Sequence, residues 1–173
     1  MARLEPMIEA DRLATRVAEL GAQIRSEHPD ATLTMVGVLK GSVIFLADLV
    51  RHIDGPVEVE FLGVSSYHGT ASTGTVQITQ DLRADIAGKH VIVVEDIVDT
   101  GLTLHYLLRI LGARRPASLR VATLLDKPSR RQVDVVADYI GFEIPDAFVV
   151  GYGLDLDQLY RNLPHIAVYH PED

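Results

Sequence analysis

One stretch constrains the fold more than any other. Residues 90–94, His-Val-Ile-Val-Val, form a β-branched apolar run that stops at two carboxylates, Glu95 and Asp96. A short run of this kind reads as a strand buried on both faces. Adjacent carboxylates at its end are expensive unless a cation or a hydroxyl-rich ligand compensates them. Close behind come Asp99, Thr100, Gly101, Leu102 and Thr103, and then Leu104, Leu107, Leu108 and Leu111 at helical spacing, closed by Gly112. The order is strand, acidic pair, turn, helix. Gly101 permits close backbone approach, hydroxyls stand on either side of it, and the helix start supplies N–H groups and a positive dipole end. That combination is a cradle for a phosphate. A lone Asp-Thr-Gly reads more simply as a helix cap through Asp99 or Thr100, but the acidic pair at this spacing favours the cradle.

The remaining pattern places this unit in an α/β fold. Ile8, Leu13, Val17, Leu20 and Ile24 predict an amphipathic first helix. Residues 32–38 predict a buried strand, and Ser42 is a candidate cap for a helix through Arg51 whose inner face is Val43, Leu46, Ala47 and Val50. Further strands are expected over 57–64, 119–125, 135–140 and 147–151. Strands alternating with helices imply parallel crossovers and an open α/β sheet, in which ligands bind beyond the carboxyl ends of the strands. Residues 65–75, small, polar and glycine-containing, read as a lid or binding loop as readily as an exposed hairpin connection. No linker or repeat divides the chain, so residues 1–173 are expected to form a single domain.

Composition narrows the function classes. Sixteen basic residues against 24 acidic give a net charge of -8, a poor match for a nucleic-acid backbone. Cysteine is absent, which removes disulfides and thiolate chemistry. No apolar run reaches the roughly 18 residues of a membrane-crossing helix, and the N-terminus carries no apolar leader, so a cytoplasmic protein is expected. Neither a G-x-x-x-x-G-K-[ST] loop nor a strand followed by G-x-G-x-x-G is present. The seven histidines, His68 and His105 among them, have no metal-ligand spacing. Arginine dominates the cations, so the few lysines, Lys40, Lys89 and Lys127, stand out.

Residues 93–103, Val-Val-Glu-Asp-Ile-Val-Asp-Thr-Gly-Leu-Thr, resemble the phosphoribosyl pyrophosphate signature of type I phosphoribosyltransferases. Three further segments narrow the resemblance: Leu39-Lys40-Gly41 after a strand; Leu124-Leu125-Asp126-Lys127 with the following Gly141-Phe-Glu-Ile-Pro-Asp-Ala-Phe-Val-Val-Gly-Tyr-Gly-Leu-Asp155; and Tyr160-Arg161-Asn-Leu-Pro. In this order, across about residues 35–169, they resemble the hypoxanthine (hypoxanthine-guanine) branch.

The resemblance implies an open, twisted, mostly parallel sheet flanked by helices, with a small hood from terminal segments, about residues 1–10 and 145–173. It implies purine salvage: hypoxanthine, and guanine with it, displaces magnesium-bound pyrophosphate from phosphoribosyl pyrophosphate to give IMP or GMP. Glu95 and Asp96 match the acidic pair at the ribose hydroxyls, directly or through Mg2+. Asp99 matches the general base, and Thr100, Gly101, Leu102 and Thr103 the loop around the ribose phosphate. Lys40 and Gly41 match the pyrophosphate loop, whose first peptide can be cis in relatives, and Arg161 a pyrophosphate-binding arginine. Lys127 matches the lysine at the purine's exocyclic oxygen, Phe148 the stacking aromatic, Val149 a backbone contact to the base edge, and Asp155 a second magnesium ligand. Ser66 and Tyr67 match the mobile lid. Leu156 departs from an aromatic residue common at its position, and Arg130-Arg131 is expected to be solvated or at a subunit contact. A homodimer or homotetramer is implied, with no nucleic-acid or membrane partner. The other readings are a nucleotide-sensing regulator on the same scaffold and a transferase preferring xanthine or a pyrimidine.

Overall fold

The structure, a computed structural model, describes residues 3–67 and 75–171. Its main sheet has six strands in the order β4-β3-β2-β5-β6-β7, from β2 (Leu33–Leu39), β3 (Val57–Tyr67), β4 (Thr75–Gln80), β5 (His90–Val98), β6 (Ser118–Asp126) and β7 (Tyr139–Glu143). All neighbours are parallel except β3 and β4. A second, three-stranded antiparallel sheet joins β1 (Arg3–Ile8), β9 (Ile166–His170) and β8 (Val149–Val150) in that order.

Alternation along the central strands divides the core. Met35, Ile92, Val94, Ala122 and Leu124 pack with Leu13, Val17, Leu20 and Ile24 of α1 (Ala10–Glu27) and with Phe45, Leu46 and Leu49 of α2 (Val43–Val50). Val36, Val38, Val91, Val93 and Val121 pack on the other face with Leu104, Leu107 and Leu111 of α3 (Leu102–Gly112). Helices on both faces explain why these strands read as continuous apolar runs.

The topology fixes where a ligand can enter. From β2 the chain moves to β3 on one side, whereas β5 leads to β6 on the other. The strand order reverses between β2 and β5, and a crevice opens there beyond their carboxyl ends. The pairing of β2 with β5 ends at Gly37 and Val94, leaving Glu95 and Asp96 at the mouth of that crevice.

Several expectations are corrected. Ile8 closes β1 rather than opening the first helix. Ser42 holds the cap position of α2, but its hydroxyl turns back to the Val38 carbonyl (2.8 Å), which also accepts the Ser42 N–H at 3.4 Å. The inner face of α2 is Phe45, Leu46 and Leu49, with Ala47 exposed and Val43 and Val50 half-buried. The strand expected over 135–140 runs instead over Tyr139–Glu143, and the one over 147–151 shrinks to β8. Residues 65–67 and 75 continue the β3–β4 pairing, with Ser66 opposite Val76 and Tyr67 opposite Thr75, so both proposed lid positions lie on β3. Residues 68–74, His68 included, lie outside the described residues. Lys89 bonds Glu58 of β3 at 2.6 Å across β2, and Thr34 joins at 3.1 Å, which gives that lysine a structural place.

Tyr139 ties the edge of the sheet to α1. It is fully buried, and its hydroxyl donates to Glu27 at 2.7 Å; that bond is the first cause holding the Glu27 carboxyl below its usual range. A charge-assisted bond of this kind contributes about 1–2 kcal/mol. Tyr139→Phe should therefore lower unfolding free energy by about that amount at pH 7. Because a depressed carboxyl contributes above its unfolded value and loses that contribution as pH falls, the difference between the two proteins should narrow as pH drops below 4.5.

Candidate active site

The turn after β5 is built by opposing demands. Gly101 sits at φ +86°, in the left-handed region, immediately before α3, and a Cβ there would meet Val135 at 2.6 Å and Arg131 at 3.0 Å. Only glycine closes this turn. Leu102 leaves its side chain in solvent and gives its N–H to the Thr100 hydroxyl at 3.3 Å.

Glu95, Asp96, Asp99, Thr100, Gly101 and Thr103 line one cavity of about 270 Å³, with Leu39 and Gly41 from the end of β2 closing it. Gly41 is pressed against Asp96: a Cβ would fall 1.8 Å from Oδ2, so nothing larger leaves that carboxylate in place. The Leu39–Lys40 peptide is cis. Lys40 lies beside this cavity, where Nζ donates to Gln158 Oε1 at 3.3 Å, and Arg161 Nη2 reaches the same oxygen at 3.2 Å. Arg161 also pairs with Asp155 at 3.0 Å and donates to the Gly153 carbonyl at 2.7 Å. This cationic corner is shaped by Tyr152, Asp157, Gln158 and Tyr160, all at positive φ, and backbone held there marks an over-determined site.

On the other side, Lys127 follows β6 directly. It is buried and lies 3.8 Å from Asp146. Arg130 pairs with Asp99 at 3.2 Å and with Asp146 at 3.6 Å. Phe148 is half-exposed, unusual for a large apolar side chain, and is braced edge-on by Tyr169 with ring centroids 6.1 Å apart. Val149 next to it is buried in β8.

Burial pushes the Glu95 carboxyl well above its usual range, and the neighbouring Asp96 pushes it further. Asp96 is pushed up to about 6, chiefly by burial and against the opposing pull of the Ile97 N–H and Arg161. Among the described residues no ammonium or guanidinium lies within 4.0 Å of either. No three His, Cys, Asp or Glu side chains among the described residues converge as a complete metal cage. Two under-compensated carboxylates fit a hard cation that keeps water and brings oxygen ligands with its substrate, as Mg2+ does.

The sequence-selected positions thus fall into three adjoining groups: the cavity acids and turn, the Lys40–Arg161–Asp155 corner, and Lys127 with Phe148 and Val149. Ser66 and Tyr67 are on β3, and only their backbone is described. Sequence reasoning assigned no role to Gln158, Asp146 or Tyr169, and of the two readings of Arg131 the solvated one is not met: its side chain is 18% exposed and bonds Asp126 and the Asp99 carbonyl.

A family model for the phosphoribosyl transferase domain matches residues 7–157. This chain belongs to the phosphoribosyltransferase family. Named relatives agree in detail. A hypoxanthine-guanine phosphoribosyltransferase of Bacillus subtilis is 48% identical over 166 residues, 95% of this chain and 92% of the relative. A hypoxanthine phosphoribosyltransferase of Haemophilus influenzae is 52% identical over 167 residues, 94% of this chain and 93% of the relative. The crystal structure of a hypoxanthine-guanine phosphoribosyltransferase from Bacillus anthracis superposes with a TM-score of 0.91 at 44% identity, covering 98% of this chain and 99% of that one. The six-stranded sheet with helices on both faces is the type I phosphoribosyltransferase fold.

The raised carboxyls carry a stability cost of known sign. A folded-state value above the unfolded one means stability is lost as pH rises between the two. For Asp96 that window runs from about 4 to about 6. Asp96→Asn should raise the ligand-free unfolding free energy at pH 7.5, on the order of 1–3 kcal/mol, with the gain vanishing below about pH 4. Chemical denaturation at the two pH values measures it; a variant less stable at pH 7.5 would contradict the assignment.

Proposed function

We propose that this chain is a purine-salvage transferase converting hypoxanthine, and guanine with it, plus phosphoribosyl pyrophosphate to IMP or GMP and pyrophosphate. The observation that carries this reading is one cavity lined by two raised carboxylates and a phosphate-type turn, flanked by a buried lysine and a braced, open aromatic face.

The proposed division of labour follows from charge. As the bond from ribose C1 to pyrophosphate breaks, the sugar becomes oxocarbenium-like and the leaving group gathers negative charge. Thr100, Gly101, Leu102 and Thr103 bind the 5′-phosphate through backbone N–H groups and hydroxyls. Glu95 and Asp96 hold the ribose hydroxyls and lend negative charge beside the sugar. Lys40, Gly41 and Arg161 receive pyrophosphate. Glu95 and Asp96 are the residues proposed to hold one Mg2+ and Asp155 a second, which when bound would neutralise the diphosphate. Phe148 stacks on the purine, Val149 meets its edge, and Lys127 donates to the exocyclic oxygen. Asp99 takes the proton from the ring nitrogen; its Arg130 partner, 3.2 Å away, orients the carboxylate until the base arrives. Ser66 and Tyr67, at the end of β3, are proposed to close over the centre and exclude water.

The small sheet of β1, β8 and β9 is proposed to act as a hood within one domain, carrying Val149 and bracing Phe148 through Tyr169. No helix is long and apolar enough to cross a membrane, and a cytoplasmic homodimer or homotetramer is the proposed form. A magnesium-dependent assay with hypoxanthine, guanine, xanthine, adenine and uracil in parallel tests the substrate class. Preferred use of hypoxanthine and guanine supports it, and a preference for xanthine, adenine or uracil would replace it. Asp99→Asn should lower turnover about 10²–10⁴-fold with the KM for phosphoribosyl pyrophosphate nearly unchanged; unaltered turnover would remove the general base. Lys127→Ala should raise the KM for hypoxanthine at least about tenfold, because a buried donor to the exocyclic oxygen is lost. Equal use of hypoxanthine by that variant would show that the base is read elsewhere.

A further inference from the structure

Three consecutive carbonyls of the turn after β5 are taken by the segment that follows β6. The Lys127 N–H donates to Val98 O at 2.9 Å, Arg131 Nη1 to Asp99 O at 2.8 Å, and the Gln132 N–H to Thr100 O at 2.9 Å. In a planar trans peptide the N–H points opposite to the carbonyl it shares a plane with. Fixing these carbonyls toward residues 127–132 therefore turns the N–H groups of Asp99, Thr100 and Gly101 away from that segment, toward the cavity these three residues line.

The middle contact differs from its neighbours because a side chain makes it, and that side chain is gripped again through its second nitrogen. Arg131 Nη2 donates to the carboxylate of Asp126, the last residue of β6, whose side chain is only 9% exposed. The backbone of Asp126 is itself pinned, its carbonyl accepting the Ile144 N–H at 2.9 Å. The Arg131 stem also fills the space beneath Gly101, with Cδ 3.0 Å from where a Cβ would stand. A guanidinium presents two donors in a rigid plane, one for each acceptor, whereas an ammonium on a flexible stem cannot hold both in that geometry.

We propose that Arg131, anchored by Asp126, is a positioning residue: a bracket that sets the N–H groups of the phosphate turn and ties them to the strand end that carries Lys127. The bracket rests on the proposed phosphate role of residues 100–103. It makes the pocket for the sugar phosphate depend on the element that reads the base, although Arg131 itself lines no part of that cavity.

Ribose 5-phosphate, titrated against the full chain and followed by 31P NMR, isolates the turn from the base site. Arg131→Lys should weaken its binding at least about tenfold and raise the KM for phosphoribosyl pyrophosphate alike, the size of effect expected when positioned groups shift by under an ångström. The KM for hypoxanthine should stay within about twofold and the melting temperature within about 5 °C, less than a general loss of packing would produce. Asp126→Asn keeps the side-chain shape, removes the charge, and should give the same split, so the comparison stands even where Arg131→Lys folds poorly. Ribose 5-phosphate binding by Arg131→Lys equal to wild type overturns the bracket alone. Equal weakening toward both substrates with a large fall in melting temperature also overturns it, by making Arg131 merely structural. A wild type that ignores ribose 5-phosphate overturns the phosphate reading and the bracket together.

Discussion

The structure turns on carboxylates placed where the sheet would otherwise be driest. Strand β5 is central, with neighbours on both sides and helices on both faces, and Glu95 follows Val94 with no polar buffer between them. Such a placement is tolerable only beyond the end of a neighbouring strand, where β2 has stopped pairing and a crevice admits a ligand. The reversal of strand order makes that crevice, Gly41 leaves room for the Asp96 carboxylate, and the turn through Gly101 starts α3 close enough for its N–H groups to share the cavity. Each feature answers the same electrostatic problem. In the proposed reaction these acids would face a sugar acquiring positive charge, already oriented for it.

The cationic groups are kept apart from that pair. Lys40 and Arg161 converge on Gln158, and Arg161 is further restrained by Asp155. Lys127 and Arg130 share Asp146 on the opposite side. Neither group is close enough to neutralise Glu95 or Asp96, so the site stays electrostatically divided: acids in the middle, bases at two ends. A substrate with a polyanionic end, a sugar and a polar base suits that division.

Much of this was legible in the residues. The run from His90 to Thr103 read correctly as strand, acids, turn and helix because burial on both faces and helical spacing leave few alternatives. The two acids signal a strand end in the sequence, yet backbone pairing with β6 continues to Val98. The helix face of α2 was misassigned at Ala47 because an eight-residue apolar helix has little periodicity to read. The strands β1 and β9 gave weak signals, being half-exposed and paired only with each other and with the two residues of β8. At the site, groups in local motifs could be found, while the contacts of Gln158 with Lys40 and of Asp146 with Lys127 depend on segments that meet only after folding.

The pairing of β1 with β9 has a temporal side. Arg3 lies opposite His170, so the small sheet is stitched from the two extremes of the described chain, while the six-stranded sheet needs nothing beyond Glu143. Contacts of such wide sequence separation close late, because the loop entropy of joining distant segments must be overcome first. Tyr169, which braces Phe148, belongs to that late sheet. During synthesis the crevice between β2 and β5 can therefore take shape before the aromatic wall beside it. On the proposed roles, the growing polypeptide would form the pocket for the sugar phosphate before the stacking wall for the base.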